Sequence, residues 1–357
     1  MSMVLPLQPN PADLPQIIAP HLSLLQAAIS LTAAALILDL AILMRLQHNL
    51  AYLNSDHPED MKSGEFSAMG TTISFIVPVA QFEEANVCVT DLFTQWEKKL
   101  SRFLPDSELS VLNRQNGWVS VSPFLYTILE ASVQAAQSTD GVFDPTMAQQ
   151  IRAVGYDVSF DLIDHSDKIE HVETTPGGAW RDVRFDARQS KIFKPIAAAF
   201  DVGGIAKGMA ADAALQALRD IGVLSAAVNA GGDIAVMGRS DISEGWNIAV
   251  PAGDKNQIVH LLSGAIATSG KGRRYWYRNG ELQHHLLNPL TGQSVQNTVA
   301  AVSAAAGTCR EAEVAAKTAF ILGLVDGSLF LLNHGLSGVF LNDDGTRLSV
   351  GSWPKGE

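Results

Sequence analysis

Cysteine is nearly missing from this chain: two in 357 residues, Cys88 and Cys309. That count excludes a disulfide framework and a paired-cysteine metal site, and leaves both as small hydrophobes for a core. Basic residues are also in deficit. The chain has 25 Lys and Arg against 37 Asp and Glu, a formal net charge of −12. A nucleic-acid surface needs a basic footprint, so nucleic acid is not an expected partner. Charged residues make up only 17% of the chain and hydrophobic residues 47%, which points to packed structure rather than disorder. No repeat of fixed period and no low-complexity block interrupts it. The length suits one large domain or two ordinary ones.

The first forty-odd residues contain no Lys or Arg and no cysteine. A removable signal peptide with a basic n-region and a lipid-modified cysteine anchor are therefore not expected. Pro6, Pro9, Pro11, Pro15 and Pro20 make an extended lead-in. Residues 22–44 follow as an almost unbroken apolar run, long enough for a bilayer, which takes roughly 20 residues. A membrane anchor is the expectation, with an apolar helix buried against the domain or a partner as the alternative. Arg45 and His48 place positive charge just after the run and favour a cytoplasmic carboxyl side. Residues 45–62 read as a polar linker, and 63–357 as one folded domain.

Within that domain, helical and strand patterns alternate in mixed order. Residues 71–79 are β-branched and apolar and read as a strand. Val89, Leu92, Phe93, Trp96 and Leu100 recur at helical spacing. Ser122-Pro123 opens a second helix with a cap and a first-turn proline. Residues 183–193 read as a hairpin, 226–228, 246–250 and 299–305 as strands, and 311–322 as a helix. Residues 329–334 and 338–341 read as closing strands around an Asp343-Asp344-Gly345 turn. The order gives an α+β class, a mixed α/β domain with no βαβ series of a dinucleotide-binding sheet.

The most informative stretch is Asp201-Val202-Gly203-Gly204-Ile205-Ala206-Lys207-Gly208. It places a carboxylate, a glycine pair and a lysine directly before an alanine-rich helix. Glycine lets backbone approach a ligand closely, and helix-start amides with a lysine favour an anion. A phosphate- or pyrophosphate-holding turn is the reading, with an ordinary glycine turn as the alternative.

Further short blocks surround it. Met69-Gly70-Thr71-Thr72 opens a strand, and Ser101-Arg102-Phe103 precedes the helix-start signal Asp106-Ser107-Glu108. Val142-Phe143-Asp144-Pro145-Thr146 has the form of an Asx turn. Asn229-Ala230-Gly231-Gly232-Asp233 looks like a turn between strands. Thr268-Ser269-Gly270 and His285-Leu286-Leu287-Asn288-Pro289 come later. In order and spacing these blocks together resemble the ApbE-type FAD:protein FMN transferase family, over roughly residues 64–351.

The resemblance implies a fold related to the T-fold and a reaction. Members cleave the pyrophosphate of FAD, attach FMN through a phosphoester to a threonine of an acceptor flavoprotein, and release AMP. Acceptors of this kind often belong to membrane redox complexes, which favours an extracytoplasmic domain, against the charge flank. Carried onto this chain, Met69, Phe103, Val142, Phe143, Asp144, Asp201, Lys207, Thr268, Ser269, Gly270 and Leu286 would contact FAD. His285 would be the base that takes the threonine proton, as suits an imidazole with its near-neutral pKa.

The resemblance also implies Mg²⁺, held by a glycine-turn carbonyl and an Asp…Thr pair four residues apart on the last helix. Gly204 offers the carbonyl, but the helix positions hold Glu313 and Lys317. A protonated lysine has no lone pair for a metal. Three readings stay open: Lys317 replaces the metal's charge, Lys317 pairs with Glu313, or Thr318 takes over. Lys271, Arg273 and Arg274 would add positive charge beside the same phosphates. The competing functions are a transferase, an FAD carrier without turnover, and an FAD pyrophosphatase that uses water.

Overall fold

Along Thr71–Pro78, Ile73, Phe75 and Val77 alternate with more exposed neighbours, the period of a strand with one buried face. That strand lies inside an eight-stranded sheet. The structure, a computed structural model, describes residues 60–160, 163, 174–240, 244–253, 256–272, 275–278 and 281–354. The chain divides into two units, Met1–His57 and Pro58–Glu357. The apolar run at 22–44 falls in the first and lies outside the described residues.

The strands of the second unit begin with β1 (Met61–Ala68), β2 (Thr71–Pro78), β3 (Gly117–Ser120), β4 (Arg184–Asp186) and β5 (Lys191–Lys194). Then come β6 (Ala226–Ala230), β7 (Asp233–Met237), β8 (Trp246–Pro251), β9 (Asn256–Leu261) and β10 (Gly264–Gly270). The last are β11 (Tyr275–Arg278), β12 (Glu281–His284), β13 (Val299–Ala306), β14 (Ser337–Asn342) and β15 (Arg347–Val350). The helices are α1 (Phe82–Leu100), α2 (Glu108–Asn113), α3 (Pro123–Ser138), α4 (Ala148–Ala153), α5 (Ala206–Asp220) and α6 (Cys309–Asn333).

The large sheet runs β1-β2-β6-β7-β10-β13-β14-β15, and each neighbouring pair is antiparallel. Its two faces are covered differently. Ala210, Ala211 and Ala214 of α5 join Val89 and Phe93 of α1 against Ile73, Phe75 and Val228. On the other face Val236 and Ile266 pack with Trp246, Ile248, Val250 and Val259 of the β8–β9 hairpin. Small alanines bring α5 close to the sheet. The contact between α5 and α6 is tighter still: a Cβ on Gly208 would stand 2.5 Å from the Cys309 carbonyl oxygen.

Most of the elements read from the sequence recur, including the caps. The Ser122 hydroxyl accepts from Leu125 N at 3.2 Å and Ser107 from Ser110 N at 3.0 Å. One element differs in kind: residues 329–334, read as a strand, continue the last helix. Gly323, at φ 80°, breaks α6 in the middle and lets a second helical segment run to Asn333. Leu331 from this segment enters the core beside Phe320 and Phe340. A short apolar run reads alike in either state, and packing decided it. Cys309 is buried, as expected of a small hydrophobe, whereas Cys88 is only half-buried.

Candidate active site

Two glycine turns meet at one end of the sheet. Met69 and Gly70 link β1 to β2 with Ala68 paired to Thr71, and both adopt positive φ, 53° and 66°. That is the backbone of a two-residue hairpin whose twist suits its strands, held here with a methionine in an uncommon conformation. Gly231 and Gly232 make the neighbouring β6–β7 turn at φ 69° and 106°. Asn229 Oδ1 accepts from Gly232 N at 2.8 Å, and Gly231 N donates to Thr72 O at 3.2 Å, joining the two turns.

Around this end opens a cleft of about 1150 Å³. Its lining gathers segments far apart in sequence: Met69, Phe103, Asp201, Gly204, Lys207, Thr268, Ser269, Gly270, His285, Leu286, Glu313 and Lys317. Thr268 Oγ1 is tied to Ser303 Oγ at 2.8 Å. Val142, Phe143 and Asp144 are the expected contacts that do not line the cleft. Phe143 is 1% exposed in the core below α3, and Asp144 is spent inside the protein. The Asp144 carboxylate accepts from Thr146 N at 2.7 Å, Thr146 Oγ1 at 2.5 Å and Gly178 N at 2.6 Å. The Asx turn is real, and it holds two loops behind the site.

The Asp201 turn is equally built from within. Asn113 brackets Phe200, accepting from its N–H at 2.7 Å and donating to its carbonyl at 2.8 Å. Asp201 accepts from Gly203 N at 2.7 Å and pairs with Arg102 Nε at 3.0 Å. Arg102 is the cleft residue that the sequence did not mark. Its guanidinium lies over Phe103 at 4.1 Å and Tyr156 at 4.6 Å, and its Nη2 is buried without a hydrogen-bond partner. Phe103 and Tyr156 form an aromatic wall of the cleft with ring centres 5.6 Å apart, and the buried Trp276 backs Tyr156 at the same distance.

The anion-binding reading of the helix start needs correcting. The Glu313 carboxylate already accepts from Gly208 N at 2.8 Å, so a side chain caps α5 where a phosphate was expected. Asp212 returns the service, accepting from Cys309 N at 2.8 Å and Arg310 N at 2.9 Å at the start of α6. Lys207, expected near a phosphate, is held by Asp233 at 2.5 Å and by the other Glu313 oxygen. Burial works against the charge on Lys207, but Asp233 and Glu313 outweigh it and raise its pKa. Burial lifts Glu313 to about 7 against the pull of Lys207.

Lys317 makes no such pair: among the described residues no carboxylate oxygen lies within 4.0 Å of its Nζ. The reading in which it bridges to Glu313 is thereby overturned, because Lys207 has taken that partner. Its ammonium lies across Gly204, where an added Cβ would be 2.7 Å from Nζ, and 5.4 Å from the Phe143 ring centre. Burial lowers its pKa, while Asp201, Glu313 and Asp144 act in the opposite direction. Thr318 points into the core, fully buried with its hydroxyl unpartnered, which removes it as a substitute ligand. Lys271 turns away to Asp343 at 2.7 Å and Asn297 O at 3.1 Å, so it adds no free charge. Arg273 and Arg274 lie outside the described residues.

A divalent ion does not fit this donor set. Both Glu313 oxygens are occupied, and an ammonium fills the space over Gly204. Among the described residues no group of three or more His, Cys, Asp or Glu side chains gathers for a metal.

The fold and cleft define a mixed α/β domain whose site joins buried charge, two glycine turns and an aromatic wall. The profile of the ApbE family matches residues 69–340, and the chain belongs to that family. A Treponema pallidum FAD:protein FMN transferase is 30% identical over 298 residues, 77% of this chain and 82% of that protein. A Vibrio cholerae FAD:protein FMN transferase is 24% identical over 71% of this chain and 79% of its own length. Among solved structures, the ApbE protein of Thermotoga maritima superposes with a TM-score of 0.73 at 26% identity, covering 82% of this chain and 98% of that one. The Pseudomonas stutzeri flavinyl transferase ApbE, at 22% identity and a TM-score of 0.71 over 83% and 96% of the two chains, shares the fold.

Proposed function

We propose that this protein is an FAD:protein FMN transferase. The observation that carries the reading is that His285, the Gly203-Gly204 turn and Lys317 line one cleft roomy enough for a dinucleotide. The relatives named for this activity support it. In the reaction a threonine hydroxyl of the acceptor attacks the phosphorus of the FMN half. The bond from that phosphorus to the bridging oxygen breaks, AMP leaves with that oxygen, and the hydroxyl proton passes to His285. Such a step needs an oriented nucleophile, a base and charge beside the phosphates more than covalent help from the protein.

The aromatic wall of Phe103 and Tyr156 suits a stacked ring system, and Thr268 and Ser269 offer hydroxyl donors. The acceptor is a flavoprotein presenting a threonine, from a membrane redox complex. The run at 22–44 tethers the enzyme to the same membrane, with its catalytic domain on the extracytoplasmic side. Its length and hydropathy support the tether.

Incubation with FAD and a threonine-bearing acceptor, read by intact mass, tests the function. The expected result is an FMN adduct with stoichiometric AMP, reduced about 10²–10⁴-fold in His285→Ala while FAD still binds. FMN release without an adduct would make the protein a pyrophosphatase. Bound FAD without turnover would make it a carrier.

A further inference from the structure

Three cationic side chains reach the cleft among the described residues, and two are already neutralised. Arg102 is paired with Asp201, and Lys207 with both Asp233 and Glu313. Lys317 follows Glu313 by one turn of α6 and shares its face, yet its ammonium is left without a carboxylate partner. An amine in a partly enclosed site without a counter-ion is costly unless something anionic joins it. Gly204 leaves room for the lysine stem to lie against the turn, so the charge and the turn's backbone face one space.

We propose that Lys317 is a phosphate-binding residue, whose ammonium holds the pyrophosphate of the dinucleotide over Gly204, so that binding needs no divalent cation. The proposal rests on the FAD reading of the same cleft. It answers the misfit described above: the position where the family resemblance calls for a metal already carries a positive charge of the protein's own. A lysine meets a phosphate as a point charge and asks for no fixed coordination geometry. The cationic requirement of the leaving phosphate is then met by a side chain rather than by an ion taken from solution.

The test is equilibrium binding of FAD, followed by flavin fluorescence, in EDTA and in Mg²⁺. Riboflavin, which lacks the pyrophosphate, is the control. The wild-type protein should bind FAD equally in both buffers. Lys317→Met should weaken FAD about 10–100-fold, as expected for one charged contact, and leave riboflavin unchanged. Gly204→Ala, which keeps the charge but pushes the ammonium off the turn, should weaken FAD in the same sense. Thermal melts of both variants establish that they are folded, and the wild-type comparison needs no variant. A tenfold or greater tightening of wild-type FAD by Mg²⁺ would overturn the proposal, as would Lys317→Met binding FAD like the parent. If the wild type binds neither FAD nor riboflavin, the flavin reading itself falls and takes the proposal with it.

Discussion

Lys207 and Lys317 line the same cleft and belong to helices that pack on one another, but their surroundings are opposite. Lys207 is locked between Asp233 and Glu313, carboxylates that lie 26 and 106 residues away along the chain. Lys317 has no ion-pair partner among the described residues and lies over a bare glycine. The difference teaches that charge at a site has two uses. A saturated lysine joins α5, β7 and α6 at the sheet end. An unsaturated one is available to a ligand. Sequence position pointed to both lysines as charges for the phosphates, Lys207 because it follows the glycine pair and Lys317 because it stands at a metal position. Of the two, only Lys317 is left without a carboxylate partner among the described residues.

Removing each lysine should separate the two uses. Lys207→Met strands two carboxylates whose side chains are each 4% exposed. Breaking a buried pair from one side costs about 3–5 kcal/mol, so chemical denaturation should show a loss of that size. Lys317→Met should leave stability unchanged or raise it, because it removes an unpaired charge from a partly enclosed place. Equal losses in the two variants would erase the contrast.

Asp144→Asn comes next. It replaces a carboxylate that accepts three hydrogen bonds with an amide that has one acceptor oxygen. A loss of about 1.5–3 kcal/mol is expected, with a weaker effect on FAD binding than that of Lys317→Met. Thr318→Val sharpens the comparison from the other side of the helix. It deletes a buried hydroxyl without a partner at nearly constant volume, so stability should rise by about 1 kcal/mol and FAD affinity should not move.

The smallest effect is a pH dependence carried by His284, the buried neighbour of His285. Its Nε2 donates to Val295 O at 2.9 Å, and its Nδ1 accepts from Leu286 N at 3.2 Å, an arrangement only the neutral ring can make. Burial lowers its pKa, the Val295 bond partly opposes this, and the Lys271 charge adds to the lowering. The unfolded chain therefore binds more protons below the ordinary histidine value of about 6.5. The His284 contribution should be complete above that pH and fade as pH falls through the lower folded value. Melting curves of wild type and His284→Phe between pH 7.5 and roughly 5 should diverge in that sense. Parallel melting curves for wild type and His284→Phe across that range would contradict it. The wild-type curve alone also carries the opposite trend of Glu313, whose raised pKa adds stability as pH falls.

Local chemistry made much of the fold legible. Alternation along β2, the serine caps of α2 and α3, and the glycines of the sheet-end turns each act within a few residues. Their physical causes are present in any short stretch of the chain. The block order from Met69 to Lys317 carried the family, and its members at Asp201, Thr268 and His285 do converge on one cleft. Legibility failed where a residue's role depends on a distant partner. Nothing beside Arg102 foretells that Asp201, about a hundred positions on, will hold it under the aromatic wall. Residues 329–334 read as a strand from their short apolar run, and only Gly323 and the packing of Leu331 make them helical.

By itself the sequence determined most of the helical and extended segments, where the turns fall, and which residue types are available to a phosphate. Those follow from backbone sterics, side-chain period and hydrogen-bonding capacity, all properties of neighbours along the chain. Only the tertiary structure decided which lysine is neutralised and which is not. It also turned Glu313 to capping α5 and Asp144 to the loops behind the site. Electrostatic role depends on distance and burial through space, and the folded arrangement of α5, α6 and the Asp201 turn sets both.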